Sequence, residues 1–389
     1  MKNRTYLLAV QGEGRGHLMQ CLSVYELLTS RGHDVCCIVV GLPTDRLLPE
    51  FFRRRVGCPL VALGTPGFVK RSGRSISLLL SLWRVLTRLP DHVSSLRRFD
   101  RLVAYHRPDA IVNFYEPLAG LHGWLRPGSS RRISIAHQYV YLHEGYDIPG
   151  SGRWQQFLLR AFTRLTSAGS DRRLALSIVD MPASRDVRLR VVPPILRREV
   201  MDLRPSDEGF VLVYLVNSGY MSDILRWHAA HPDVRLHCFT DDVGVRARDG
   251  RQYRVDDTLT FHSIDDRLFL EMLASCRAVV TSAGFETVCE AVLLGKPLLM
   301  VPVEGHREQL SNALDAERLG IAGWSTQYDI GRVLTQAAAP SSFHDEFRRR
   351  VREMQDILLE ELEGRSPATD AKVVEMPARL GRAAGEGES

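Results

Sequence analysis

A chain of 389 residues is too long for one ordinary hydrophobic core and fits two domains plus a tail. With 44% hydrophobic and 25% charged residues it has a globular composition, and no stretch reaches the ~18 uninterrupted apolar residues of a membrane-spanning helix. The opening apolar run is too short for a secretory signal and enters a Gly-rich turn at once, so the expected location is the cytoplasm.

Residues 1–205 carry 31 Lys+Arg against 16 Asp+Glu, a net of +15, and the remainder carries 20 against 30, a net of −10. The first half is therefore expected to face something anionic, such as a phospholipid surface or a phosphate-bearing acceptor. The seven cysteines are odd in number and include no CxxC pair, which speaks for buried free thiols rather than disulfides or a zinc cluster.

Along the chain, short apolar runs alternate with helical patterns. Residues 6–10, 34–40, 109–113 and 132–136 read as strands of a parallel sheet covered on both faces. The pattern breaks near residue 191, and the polar stretch 195–209 reads as a linker. Alternation resumes with strands at 210–216, 234–239, 278–281 and 297–301. One charged helix is predicted at 341–362, and the Gly, Ala, Pro, Glu and Arg composition beyond residue 364 predicts a disordered tail.

The first strand runs into Gly12-Glu-Gly14-Arg-Gly16-His17. Glycines between a strand and a helix let backbone N–H groups approach a ligand above the strand ends. The spacing is GxGxG rather than GxGxxG, and the second strand ends Val39-Val40-Gly41 without a ribose-binding carboxylate, which disfavours a nicotinamide enzyme. His17 falls at the helix start, where burial and the helix dipole lower its pKa and suit a neutral general base; a histidine that merely packs the helix start is the plainer alternative.

Residues 279–320 carry the most chemistry. A buried strand ends at Thr281, Ser282-Ala283-Gly284 turns, and a helix begins near Phe285, so its N-terminus can meet a diphosphate. Glu290 lies one to two turns on, where a carboxylate can accept both hydroxyls of a ribose. Glu308-Gln309, after the next strand, offer a carboxylate and an amide suited to sugar hydroxyls.

The run AGFET, EA and LGKP, followed by EQ and NA, resembles the C-terminal donor site of GT-B glycosyltransferases. It is most similar to the peptidoglycan N-acetylglucosaminyltransferase type, the UDP-glycosyltransferases, and an uncharacterised bacterial and archaeal subgroup. Residues 12–17 and 113–117 (NFYEP) extend the likeness. The resemblance implies an α/β fold of two doubly wound Rossmann-like domains facing a cleft. Residues 1–196 would form the acceptor side, 197–208 the linker, 209–363 the donor domain with its long terminal helix, and 364–389 the tail.

It further implies that the backbone of Ala283, Gly284 and Phe285 holds the donor diphosphate, with Gly14 and Gly16 across from it. Glu290 would take the ribose and Glu308 and Gln309 the hexose. Residues 261–266 would form the loop gripping the base, with Ile264 against it, and Asn217 and Ser218 a further phosphate loop. His17 matches the catalytic histidine. Three departures stand out: Ser282 and Ala283 stand where plant-type members carry a histidine before the glycine, Glu286 occupies an often apolar position, and no acid clearly matches the partner of the histidine. Glu116 is the best candidate for partner or base, or else an acid that only begins a helix.

Residues 68–102 interleave leucines and Trp83 with eight basic residues, and 153–173 is a second basic cluster; either suits a membrane interface or an ordinary solvated helix face. Nucleic acid is not an expected partner. No cofactor and no metal are expected, because the pairs Asp241-Asp242, Asp256-Asp257 and Asp265-Asp266 are scattered. The expected function is inverting, metal-independent transfer of a hexose from a nucleotide sugar, UDP-linked, to the hydroxyl of a sugar or lipid-linked acceptor. The rivals are a non-hydrolysing sugar-nucleotide 2-epimerase and a non-catalytic nucleotide-sugar-binding subunit.

Overall fold

A computed structural model describes residues 3–43, 48–66, 69–71, 75–77, 87–149, 152–215, 218–240 and 251–364. Strand β1 (Thr5–Gln11) is buried over its last six residues, as a strand covered on both faces must be. It turns into helix α1 (Arg15–Ser30), which lays Leu18, Cys21, Leu22, Val24 and Leu28 on the sheet. Gly12 is required at that turn, since a Cβ there would come 2.5 Å from Leu42 and 3.0 Å from the Gly41 carbonyl.

The chain continues through β2 (Asp34–Leu42), α2 (Glu50–Arg55), β3 (Leu60–Gly64) and the ribbon β4 (Val69–Arg71) with β5 (Ser75–Ser77). Next come α3 (Leu89–His106), β6 (Ala110–Phe114), α4 (Pro117–Leu125) and β7 (Arg131–Ala136). A 3₁₀ turn (His137–Leu142) follows, then α5 (Arg153–Thr166), β8 (Arg172–Leu176) and β9 (Leu189–Val192). The sheet order is β3-β2-β1-β6-β7-β8-β9, parallel throughout. Strand order reverses between β1 and β6, and ligands of such sheets bind beyond the strand ends at that point.

The second half runs α6 (Arg198–Asp202), β10 (Val211–Tyr214), α7 (Met221–Ala230), β11 (Leu236–Thr240), β12 (Gln252–Arg254), β13 (Leu259–Ser263) and α8 (Asp266–Ser275). It continues with β14 (Ala278–Thr281), α9 (Phe285–Leu293), β15 (Leu298–Met300), α10 (Arg307–Arg318), β16 (Gly323–Trp324), α11 (Ile330–Leu334) and α12 (Ser341–Glu363). Its order is β12-β13-β11-β10-β14-β15-β16, with only the edge strand β12 antiparallel. Here the reversal lies between β10 and β14, beside the turn at 282–284.

Residues 261–263, the first half of the segment 261–266 read from sequence as a base-gripping loop, belong to strand β13, and only Ile264 and Asp265 connect it to α8. The stretch expected to be a plain linker contains α6, whose Val200 is buried and whose preceding Arg197 is buried too. Helix α12 crosses back to the first sheet. Glu361 there receives Arg172 at 2.7 Å and Arg190 at 3.1 Å, and Glu363 meets His33 at 3.3 Å. One apolar cluster runs from Tyr6 and Leu22 to Val288, Phe347 and Leu362, so the halves share a core.

Candidate active site between the two sheets

At the end of β1, Gly14 is the N-cap of α1 in extended conformation and faces open space. His17, one turn in, stacks on Tyr115 with ring centroids 5.5 Å apart, and its Nε2 lies 3.5 Å from the Gln138 amide nitrogen. Its Nδ1 is buried. Burial lowers the His17 pKa; the Glu308 carboxylate and Gln20 act against it, and His137 adds to it. The net lowering leaves a neutral imidazole able to accept a proton.

Across the cleft, β14 ends in Ser282 and Ala283 before the helix α9. Ala283 is in the left-handed region at φ 64°, a strained conformation for a residue with a Cβ. Tyr115, beneath His17, shares that strain at φ 60°. No side chain caps α9, whose N-cap is Gly284, and the Thr281 and Ser282 hydroxyls are buried without partners. Donors at an uncapped helix start beside unpartnered hydroxyls suit an anion.

Several side chains join the two walls. Glu286 accepts a hydrogen bond from Gln20 Nε2, and a Cβ at Gly16 would collide with its other carboxylate oxygen. Gly16, expected to line the donor, thus makes room for Glu286 instead. Burial pushes the Glu286 carboxyl up to about 7, with Glu308 and Glu290 adding to the rise against its hydrogen bonds. Arg15 pairs with Asp266 at 2.6 Å. His137 stacks on Phe285 at 3.9 Å and meets Asn312 Oδ1 at 2.8 Å.

The remaining predicted residues divide. Glu308 is partly exposed on the first turn of α10 and is the acid that acts on His17 from the second domain. Gln309 is buried, and its Oε1 accepts from Val303 N at 2.8 Å, so that oxygen braces the loop before α10. Glu290 is buried and Arg197 donates to its Oε1 at 2.8 Å, so one of the two oxygens expected to face a ribose is already used. Burial opposes the charge of Arg197, and Glu290 more than restores it. Ile264 is partly exposed at the end of β13. Ser218 begins a short 3₁₀ turn, whereas Asn217 lies outside the described residues, as do 78–86 in the basic stretch, Asp241-Asp242 and the tail from 365.

Glu116 requires a correction. It is 0% exposed and caps α4, with its Oε1 accepting from Leu118 N at 3.0 Å and Thr65 Oγ1 at 2.7 Å. Its other oxygen packs on Gly41, where any Cβ would collide with it. A carboxyl closed off in this way cannot reach an acceptor, so Glu116 is not the base.

Residues 5–336 match the profile of glycosyl transferase family 1. The chain belongs to that family. It is 24% identical over 394 residues, 95% of each chain, to an uncharacterized glycosyltransferase of Methanosarcina acetivorans. It is also 34% identical over 133 residues to the UDP-N-acetylglucosamine–N-acetylmuramyl-(pentapeptide) pyrophosphoryl-undecaprenol N-acetylglucosamine transferase of Thermotoga neapolitana, covering 32% of this chain and 36% of that one. Among solved structures, the glycotransferase of kitacinnamycin superposes with a TM-score of 0.60 at 18% identity, over 93% of this chain and 100% of that one. The calicheamicin glycosyltransferase gives 0.60 at 18%, over 95% and 100%. The two doubly wound domains are thus a GT-B fold, and the protein is a glycosyltransferase.

Sequence reading of this glycosyltransferase missed Gln20, His137, Arg197 and Asn312. Their types were visible, but their partners lie far along the chain, from 29 residues for Asn312 and Ala283 to 266 for Gln20 and Glu286. Asn312 alone had a signal, standing in the NA pair after EQ. No group of three or more His, Cys, Asp or Glu among the described residues could hold a metal ion.

Proposed function

We propose that this glycosyltransferase moves a hexose from a nucleotide sugar, UDP-linked, to an acceptor hydroxyl with inversion at the anomeric carbon and without a metal. The carrying observation is the pair of buried, unpartnered Thr281 and Ser282 hydroxyls at the end of β14, beside the uncapped start of α9. Buried polar atoms are normally satisfied, so such a pair is best accounted for by a polar ligand. His17 removes the acceptor proton, the oxygen attacks C1 opposite the diphosphate, and the C1–O bond breaks toward the phosphate. The start of α9 stabilises the leaving charge. Thermal shifts with UDP-, TDP- and GDP-sugars rank the donor. NMR of the product anomer tests inversion, and loss of transfer in EDTA restored by Mg²⁺ or Mn²⁺ would refute metal independence. Product from UDP-N-acetylglucosamine without any acceptor would mean epimerisation.

The acceptor is proposed to be lipid-linked and reached at the inner, anionic face of the cytoplasmic membrane. Helix α5 supports this. Trp154 is 69% exposed and Phe157 56%, and they align with Leu158, Ala161 and Leu165 in one outward stripe bordered by Arg153 and Arg164. A basic helix with an exposed aromatic stripe suits an anionic interface. The inner face of α5 holds Tyr115, beneath His17, through Thr163 at 2.8 Å. Among the described residues no helix is long and apolar enough to cross a membrane. Flotation with vesicles of phosphatidylcholine, with and without phosphatidylglycerol, tests the surface. Binding of the anionic vesicles that W154S/F157S abolishes is expected; equal binding by the variant refutes it.

A further inference from the structure

We propose that His137 is a positioning residue that braces the donor turn from the opposite domain, and that the brace requires both of its ring nitrogens to carry protons. This rests on reading residues 282–285 as the donor-phosphate turn. His137 opens the 3₁₀ turn after β7 and is buried. It does two things at that turn. Its ring stacks on Phe285, the first residue of α9, at 3.9 Å and 17°. Its Nε2 meets Asn312 Oδ1 at 2.8 Å, and Asn312 Nδ2 in turn donates to the Ala283 carbonyl at 3.0 Å. The strained residue of the turn is therefore held by a two-link chain that ends in the other domain.

The same chain fixes the protons. Ala283 O can only accept, so the Asn312 amide must present its NH₂ there; reversed, it would set two oxygens 3.0 Å apart in a buried site. Oδ1 then faces His137 Nε2 and needs a donor. Nδ1 lies 2.8 Å from the Leu176 carbonyl, another pure acceptor. A neutral imidazole supplies one N–H and would leave one of these contacts unmade. The cation supplies both, and its stacking on Phe285 gains from the charge.

The surrounding groups permit that charge. His17, from α1, faces His137 but is itself held neutral by burial, so it does not repel. Asp315, one turn beyond Asn312 on α10, faces His137 and is hydrogen-bonded by the Tyr146 hydroxyl. Tyr141 presents its ring edge at 6.4 Å. Glu286 titrates in the same cleft and links a different pair of elements. Because the braced form is the cationic one, donor binding is expected to weaken when that proton is lost.

Two readouts test this. In ¹⁵N-labelled protein with nucleotide bound, both His137 ring nitrogens are expected to carry protons. Calorimetric titration with UDP and with TDP across pH should show His137→Gln, in a Glu286→Gln background, binding about ten- to hundredfold more weakly than Glu286→Gln alone and without its pH slope. Circular dichroism checks that His137→Gln is folded; if it is not, Asn312→Asp supplies the binding comparison. Unchanged affinity and slope in the variant, or a single protonated nitrogen at every pH, overturns the proposal. Wild-type protein that binds neither nucleotide while both nitrogens are protonated overturns the donor reading and leaves the brace standing.

Discussion

His17 and Tyr115 lie ring over ring, with centroids 5.5 Å apart and planes 20° from parallel, and the tyrosine that supports the histidine is held in a left-handed backbone conformation. Strain of this kind is stored where a side chain must be aimed. Tyr115 cannot swing away, because its hydroxyl bonds Thr163 at 2.8 Å. His17→Ala should therefore lose about 10²–10⁴-fold in transfer rate while nucleotide affinity changes little. Initial rates and calorimetry on the same preparations separate the two, and a variant with wild-type rate would remove His17 from the mechanism.

Glu116→Gln is expected to keep its transfer rate, since the amide oxygen can still cap α4. Stability gives the sharper signature. Burial pushes the Glu116 carboxyl up to about 7, well above its unfolded value, against the hydrogen bonds from Leu118 and Thr65. A raised acid binds its proton more tightly when folded, so its contribution is full below about pH 4.5 and is lost as pH climbs through about 7. Chemical denaturation across that window should show a falling curve for wild type and a flatter one for the variant.

Gly16 and Glu286 should be coupled. Ala in a helix is ordinarily more favourable than Gly by about 1 kcal/mol, yet here its methyl would strike the Glu286 carboxylate. Gly16→Ala is expected to lower kcat/KM by driving the two walls apart, and Glu286→Ala to restore much of the loss in the double variant. A double-mutant cycle measures the coupling, and additive effects would disprove the contact.

Glu361 ties α12 to the first sheet through Arg172 and Arg190, two arginines about one-third exposed. Glu361→Ala should cost about 2 kcal/mol, toward the low end for a broken pair because water reaches the guanidinium groups. Urea denaturation reads this directly, and the loss should shrink in high salt.

The alternation of apolar strands and helices, the glycine turn and the 279–320 segment were legible because each is a local pattern. Strand β14 has the boundaries read from its sequence, and α12 ends one residue beyond them. Strand β13 was not legible, since Leu259–Ser263 carries Thr260 and His262 among its apolar residues, and its end from Phe261 reads as part of a loop until β11 pairs with it. Sequence alone thus determined the α/β class, the two sheets, the start of α9 near Phe285 and the histidine at the start of α1. Only the tertiary structure decided which polar groups remain available. Glu116 was withdrawn into a cap, one oxygen of Glu290 went to Arg197, and the side-chain oxygen of Gln309 was given to a loop, while His137 was brought onto Phe285. A hydrogen-bond partner is a matter of distance in space, and residues 148 positions apart in the chain have no period or spacing that records their meeting.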